Sequence, residues 1–167
     1  WHYALDITGN SDKDAYVSPK SIWNIRHIMS EHDLYQPVLE KAADMNMDAR
    51  AYYALGVSYV GLNMFSEGIK ALESSLELDP DLLDSYITLG YAYAGVKNWS
   101  QGVETLNRAV ILDPQNPQVR FLLGFMYLGL KNVDEAERQY QILSGIKEKD
   151  TAKLCSDLGA AISRYKN

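Results

Sequence analysis

A chain of 167 residues, 47% of them hydrophobic, is long enough to bury a core without disulfides or a metal and is not composed like a disordered tail. Its net charge of −6 argues against a nucleic-acid surface, which needs clustered Lys and Arg, and a single cysteine, Cys155, leaves no intramolecular disulfide to hold a secreted scaffold together. No apolar run approaches the ~20 residues of a membrane span, so direct membrane insertion is not expected; a cytoplasmic setting is favoured, with a place at the periphery of a membrane assembly left open.

The chain begins at Trp1 rather than Met, which reads as processing or trimming. Residues 1–17 hold no sustained period, and Gly9-Asn10-Ser11-Asp12 reads as a turn or loop. This lead-in is expected to be either loosely ordered or docked on the body. Ser18-Pro19 marks a helix start, with Ser as N-cap and Pro at the first helical position. Ile22, Ile25, Ile28 and Met29 then recur at helical spacing through about His32, and Asp33 can cap a second helix carrying Val38, Leu39, Ala42 and Met45. Residues 18–48 therefore read as a degenerate or capping helix pair.

From Ala49 to Asp150 one 34-residue unit is written three times, as 49–82, 83–116 and 117–150. Leu55-Gly56 falls on Leu89-Gly90 and Leu123-Gly124, Tyr59 on Tyr93 and Tyr127, Phe65 on Trp99 and Val133, and Asp79-Pro80 on Asp113-Pro114. The spacing predicts a helix A over roughly the first fourteen residues of each unit and a helix B over roughly positions 18 to 31. The turns Leu62-Asn63-Met64, Val96-Lys97-Asn98 and Leu130-Lys131-Asn132 each carry an Asn, which tolerates the left-handed conformation. Helix B is expected to start from Ser66, Ser100 and Asp134 as N-caps, with Asp134 and Glu137 forming a capping box. Asp79-Pro80 and Asp113-Pro114 end it, because proline lacks the donor and disfavours helix in the residue before it.

Small residues at fixed places have a packing reason. Gly56, Gly90 and Gly124 are expected to face Gly68, Gly102 and Ala136, so that the two helices of a unit cross closely. Residues 151–167 then read as a C-terminal capping helix. Leu154, Leu158, Ile162 and Tyr165 would cover the open face of the last unit, with Lys153, Arg164 and Lys166 in water.

These columns resemble the tetratricopeptide repeat (TPR) family over about 70% of the chain: Tyr52 and Tyr86, the Leu-Gly pair, the following Tyr, the small residue in helix B, Ala109 and Asp-Pro. The departures are Arg120 at the first aromatic place, Ser75 and Leu143 at the second small place, and Glu148 at the proline. The resemblance implies an all-α fold, a right-handed superhelical solenoid of antiparallel helix pairs. Its helices A would line a concave groove that binds peptides or helices of partner proteins. In that family the groove-facing places correspond here to Arg50, Tyr53, Val57, Val60 and Gly61; to Asp84, Ile87, Tyr91, Ala94 and Gly95; and to Gln118, Phe121, Phe125, Leu128 and Gly129.

This lining is apolar and aromatic. The relatives that clamp the C-terminal carboxylate of heat-shock chaperones use Lys, Asn and Arg where this chain has Tyr53, Val57, Thr88, Gln118 and Leu122, so that clamp is not expected. An apolar groove suits an amphipathic helix or hydrophobic peptide of a partner, anchored on a few aromatic side chains. The same surface also suits residues 1–17 or a second copy, as in a self-assembling scaffold similar to the magnetosome-associated TPR proteins. The layout is similar, too, to the type III secretion chaperones that hold translocator proteins. Gly61, Gly95 and Gly129 have two readings: a bare strip for a ligand backbone, or an aid to ending helix A.

Nothing in the chain composes a reaction centre. His27 and His32 stand five residues apart, which puts two imidazoles on different helix faces, and Cys155 beside Leu154 reads as a half-buried inert thiol. The glycines fall at repeat spacing rather than in a phosphate-cradling loop. The expectation is a protein-binding module, not an enzyme, with a protein or peptide partner, homo-oligomerisation open, and no cofactor, metal or nucleic acid.

Overall fold

The computed structural model describes residues 48–148 and 151–166, and the readings made for residues 1–47 lie outside them. Among the described residues there are seven helices and no strand: α1 (Ala49–Gly61), α2 (Phe65–Leu78), α3 (Leu83–Gly95), α4 (Trp99–Leu112), α5 (Pro117–Gly129), α6 (Val133–Gly145) and α7 (Thr151–Lys166). The fold is an all-α helical repeat solenoid.

The turn inside each unit is a Schellman motif, written three times. Asn63, Lys97 and Lys131 take φ of 61°, 58° and 60°, and the next amide in each turn bonds five residues back, to the carbonyls of Tyr59, Tyr93 and Tyr127. Asparagine therefore takes the left-handed place only in the first turn; in the other two it falls on lysine. Asn98 and Asn132 are instead the N-caps of α4 and α6, accepting from the amides of Gln101 and Glu135. The N-caps of helix B thus lie two residues earlier than Ser66, Ser100 and Asp134, at Met64, Asn98 and Asn132, the helices begin at Phe65, Trp99 and Val133, and no Asp134–Glu137 capping box forms. In the second and third units an asparagine directly after the left-handed residue caps the amide three residues on, which starts the helix there.

Between units the chain turns on Asp-Pro. The carboxylates of Asp79 and Asp113 accept from the amides of Asp81 and Gln115, and their carbonyls from the amides of Leu82 and Asn116. Tyr86 Oη donates to the Pro80 carbonyl at 3.0 Å. Arg120 replaces that tyrosine in the third unit yet makes the equivalent contact, donating from Nη2 to the Pro114 carbonyl at 2.7 Å and from Nη1 to Gln139. Burial lowers the guanidinium's pKa, and these bonds offset the desolvation.

Helix-to-helix contact decides the curvature. The first helices of successive units touch one another, α1 on α3, α3 on α5 and α5 on α7, whereas α2 and α4, and α4 and α6, do not meet. The first helices therefore form a closed inner layer and the second helices a splayed outer one, so the concave side is built from α1, α3 and α5. One cluster with Leu72, Leu106, Leu123 and Met126 runs through the first units, and a second joins Leu143 to Leu158 and Ile162 of α7.

The Gly56–Gly68 crossing forms as the pattern implied, a Cβ on either glycine standing 3.3 Å from the other's carbonyl oxygen, and the side chains that meet the glycines are specific. A Cβ on Gly56 would lie 2.7 Å from Leu72 Cδ2, and one on Gly90 2.8 Å from Leu106 Cδ2. The third unit carries Tyr140 at that place, and Gly124 is met instead by Leu158 of α7. The terminal helix thus supplies the side chain that the third unit cannot. Tyr165 does not join this cover: it is 52% exposed, while Leu158 and Ile162 are buried and Leu154 is half-buried. Lys153, Arg164 and Lys166 are exposed, and Lys166 pairs with Glu137.

Candidate functional site

The concave surface follows from the helical period of α1, α3 and α5. Side chains at the second, fifth, ninth and twelfth places of a unit do not share one environment. At the second place Arg50, Asp84 and Gln118 are exposed. At the fifth, Tyr53 and Phe121 are half-buried and lean on the core, whereas Ile87 is 7% exposed and belongs to it. At the ninth, Tyr91 and Phe125 are 43% and 41% exposed, and Val57 is half-buried.

The twelfth place turns inward. Leu128 is 2% exposed, and Val60 packs on Gly68, 2.8 Å from where a Cβ would stand; Ala94 is half-buried against the core. Ile87 and Leu128 are therefore core residues and not lining, a correction to the periodic reading. Places nine and twelve lie three residues apart, about 60° around a helix, enough for the twelfth to fall behind the contact between neighbouring helices.

Gly95 and Gly129 are the last residues of α3 and α5 and also have a packing role that the sequence did not indicate. Neither has a positive φ, and the turn reverses two residues later. A Cβ on Gly95 would lie 2.5 Å from Phe65 Cε1, and one on Gly129 2.7 Å from Trp99 Cε2. Each glycine is a seat for the aromatic ring that opens helix B of the unit before. Trp99 also meets Phe125 edge-on, with ring centroids 6.1 Å apart and an interplanar angle of 73°. Trp99 thus supports the groove from behind, a role the pattern of helix A alone had no means of revealing.

Polar contacts tie the outer layer across unit boundaries. Tyr93 Oη donates to Glu73 Oε1 at 3.0 Å. Its pKa is pushed up to about 12 by burial first, then by that hydrogen bond and by the charges of Glu73 and Glu104. The equivalent Tyr127 has its pKa raised by burial and by Glu135, opposed by a hydrogen bond to Asn107. Burial also raises the pKa of Tyr91. Cys155 is half-buried beside Leu154.

A solenoid of repeated helix pairs with aromatic side chains on its inner layer defines the class: a helical-repeat protein with a lined concave face. Residues 49–82 match the family model described as tetratricopeptide repeat. No curated protein sequence matches the chain. Among solved structures, the Yersinia enterocolitica type III secretion chaperone SycD in complex with a peptide of the translocator YopD is similar, with a TM-score of 0.64 and 14% identity over 69% of this chain and 89% of that one. The first TPR of Spaghetti (RPAP3) bound to an HSP90 peptide has a TM-score of 0.60 and 18% identity over 70% of this chain and 94% of that one. MamA MSR-1 C2 has a TM-score of 0.58 and 21% identity, covering 88% of this chain and 78% of its own. At these identities the likeness is one of fold. No helix among the described residues is long and apolar enough to cross a membrane.

Proposed function

We propose that this protein is an interaction module that holds an amphipathic helix or hydrophobic peptide of a partner protein in its concave groove. The observation that carries the reading is the exposure of Tyr91 and Phe125, 43% and 41%, at the same place of neighbouring inner helices. Two aromatic side chains left half in water at the same place of successive units are suited to anchor an apolar ligand face. Val57, Tyr53 and Phe121 extend that surface, and Arg50, Asp84 and Gln118 edge it. Similar folds hold peptides in SycD and in Spaghetti, which supports a polypeptide ligand.

The test is titration of the full chain with a fluorescent amphipathic helix. Tyr91→Glu is expected to abolish binding while leaving helicity and melting temperature near those of the parent. Phe125→Glu should act likewise on binding but also lower the melting temperature, because it removes the Trp99 contact. Binding that survives both changes would place the ligand elsewhere.

A further inference from the structure

The groove has two unlike banks. Of the inner helices, α3 and α5 start from Asp-Pro turns and α1 from its N-cap Asp48, whereas all three end in Schellman turns, so the starts line one side and the Schellman turns the other. On the starting bank Asp81 and Asp84 are exposed, with Asp79 and Asp113 in the same turns. Arg50 begins the first inner helix on this side, and the Arg120 guanidinium is committed to Pro114 and Gln139. The opposite bank comprises residues 62–64, 96–98 and 130–132. It carries Lys97 and Lys131, both exposed, and no acid. Glu67, Asp134 and Glu135 follow it, but in the first turns of outer helices.

Two observations mark the lysine bank as more than solvated rim. Val96 and Leu130 cap the inner helices and are each 42% exposed, so the apolar lining runs over this edge next to the lysines. Lys97 and Lys131 also occupy the left-handed place, which costs a side chain with a Cβ roughly 1–2 kcal/mol and is adopted more readily by Asn, as at Asn63. A lysine there is a conformationally poor choice whose compensation is its charge.

We propose that the groove takes a partner helix whose apolar face is bordered by one acidic and one basic flank, the acidic flank against Lys97 and Lys131 and the basic flank against Asp81 and Asp84. This rests on the groove reading above. Exposed pairs of this kind add little affinity, but they select and orient. A helix can lie along a groove in either direction, and only one direction matches both banks. The charges therefore fix the polarity of the bound segment.

Three synthetic helices of about 18 residues, five turns each, would share one Leu/Met face and differ in their flanks: Glu on one and Lys on the other, Glu on both, or Lys on both. Anisotropy titrations with the full chain are expected to rank the mixed helix first by about tenfold, the order of two reversed surface pairs. That advantage should collapse near 1 M salt, where screening acts within about 3 Å. Lys97→Asp with Lys131→Asp, substitutions that tolerate the left-handed backbone, should shift the preference to the all-Lys helix; Asp81→Asn with Asp84→Asn should erase the advantage over the all-Glu helix. Equal affinity for the three helices, or the all-Lys helix binding parent protein best, overturns the two-bank assignment and leaves the groove standing. Failure of all three to bind, with Tyr91→Glu no different from parent, overturns the groove as well.

Discussion

The Tyr93 hydroxyl reaches across a unit boundary to Glu73 Oε1, 3.0 Å away, and binds α3 of one unit to α2 of the unit before. Tyr127 stands 34 residues on and is hydrogen-bonded to Asn107, itself 34 residues on from Glu73, so the clasp recurs at the next boundary, although there the bond lowers the tyrosine's pKa instead of raising it. Neutral Tyr93 is the form the fold favours. Its folded pKa of about 12 exceeds the ordinary 10, so its contribution is fully present below pH 10 and is lost as pH rises from 10 through 12. Tyr93→Phe is expected to lower stability at neutral pH by about 0.5–1.5 kcal/mol, the usual net worth of one hydrogen bond. It should also flatten the fall in stability between pH 10 and 12, which denaturant melts across that range would measure.

The Ser75 hydroxyl donates to the Ala49 carbonyl at 2.7 Å and lies 2.8 Å from Ser85 Oγ, both serines being fully buried. At the next boundary Ala109 and Val119 fill the corresponding places, also fully buried. The serine pair is thus a polar version of a joint that the same fold also makes without polar groups. Ser75→Ala alone should cost about 1–3 kcal/mol by orphaning the Ser85 hydroxyl and the Ala49 carbonyl, and Ser85→Ala less, because Ser75 keeps its bond to Ala49. The double variant should cost less than the sum of the two, and a double-mutant cycle by urea unfolding reads the difference.

Lys97 bears a left-handed backbone that asparagine adopts more readily. Lys97→Asn is expected to stabilise the protein by about 0.5–1 kcal/mol, since strain falls and the Schellman bonds are untouched. A melting temperature below that of the parent would contradict this account of the turn.

Gly129→Ala would drive a methyl group into the Trp99 indole. A loss of about 1–3 kcal/mol is expected from overpacking, larger than the ~1 kcal/mol that alanine gains in helix propensity. In a Trp99→Leu background the same change should be neutral or stabilising, because the seat no longer holds a ring. Thermal unfolding of the four proteins tests the pairing.

Leu158 is fully buried against Gly124 at the end of the solenoid. Leu158→Ala should cost about 2–5 kcal/mol, as for other large-to-small core changes, and hydrogen exchange should show α5 and α6 opening before α1 and α2.

Much of this architecture is legible in the residues themselves. A column such as Leu55, Leu89 and Leu123 recurring at one interval specifies helix pairs, because each pair can bury its apolar face only against the next. Asp-Pro and the small residues at Gly56 and Gly68 likewise announce the turn and the crossing, for proline's missing donor and glycine's missing side chain act locally. Contacts between units are not local, and there the chain pattern falls short. Whether place five, nine or twelve faces the groove depends on how far each inner helix is rotated against its neighbour, so Ile87 and Leu128 entered the core while Tyr91 and Phe125 stayed outside. The seats of Phe65 on Gly95 and Trp99 on Gly129 join residues 30 positions apart. Sequence periodicity records which face of a helix is apolar; only the packed neighbours determine which of those side chains water can still reach.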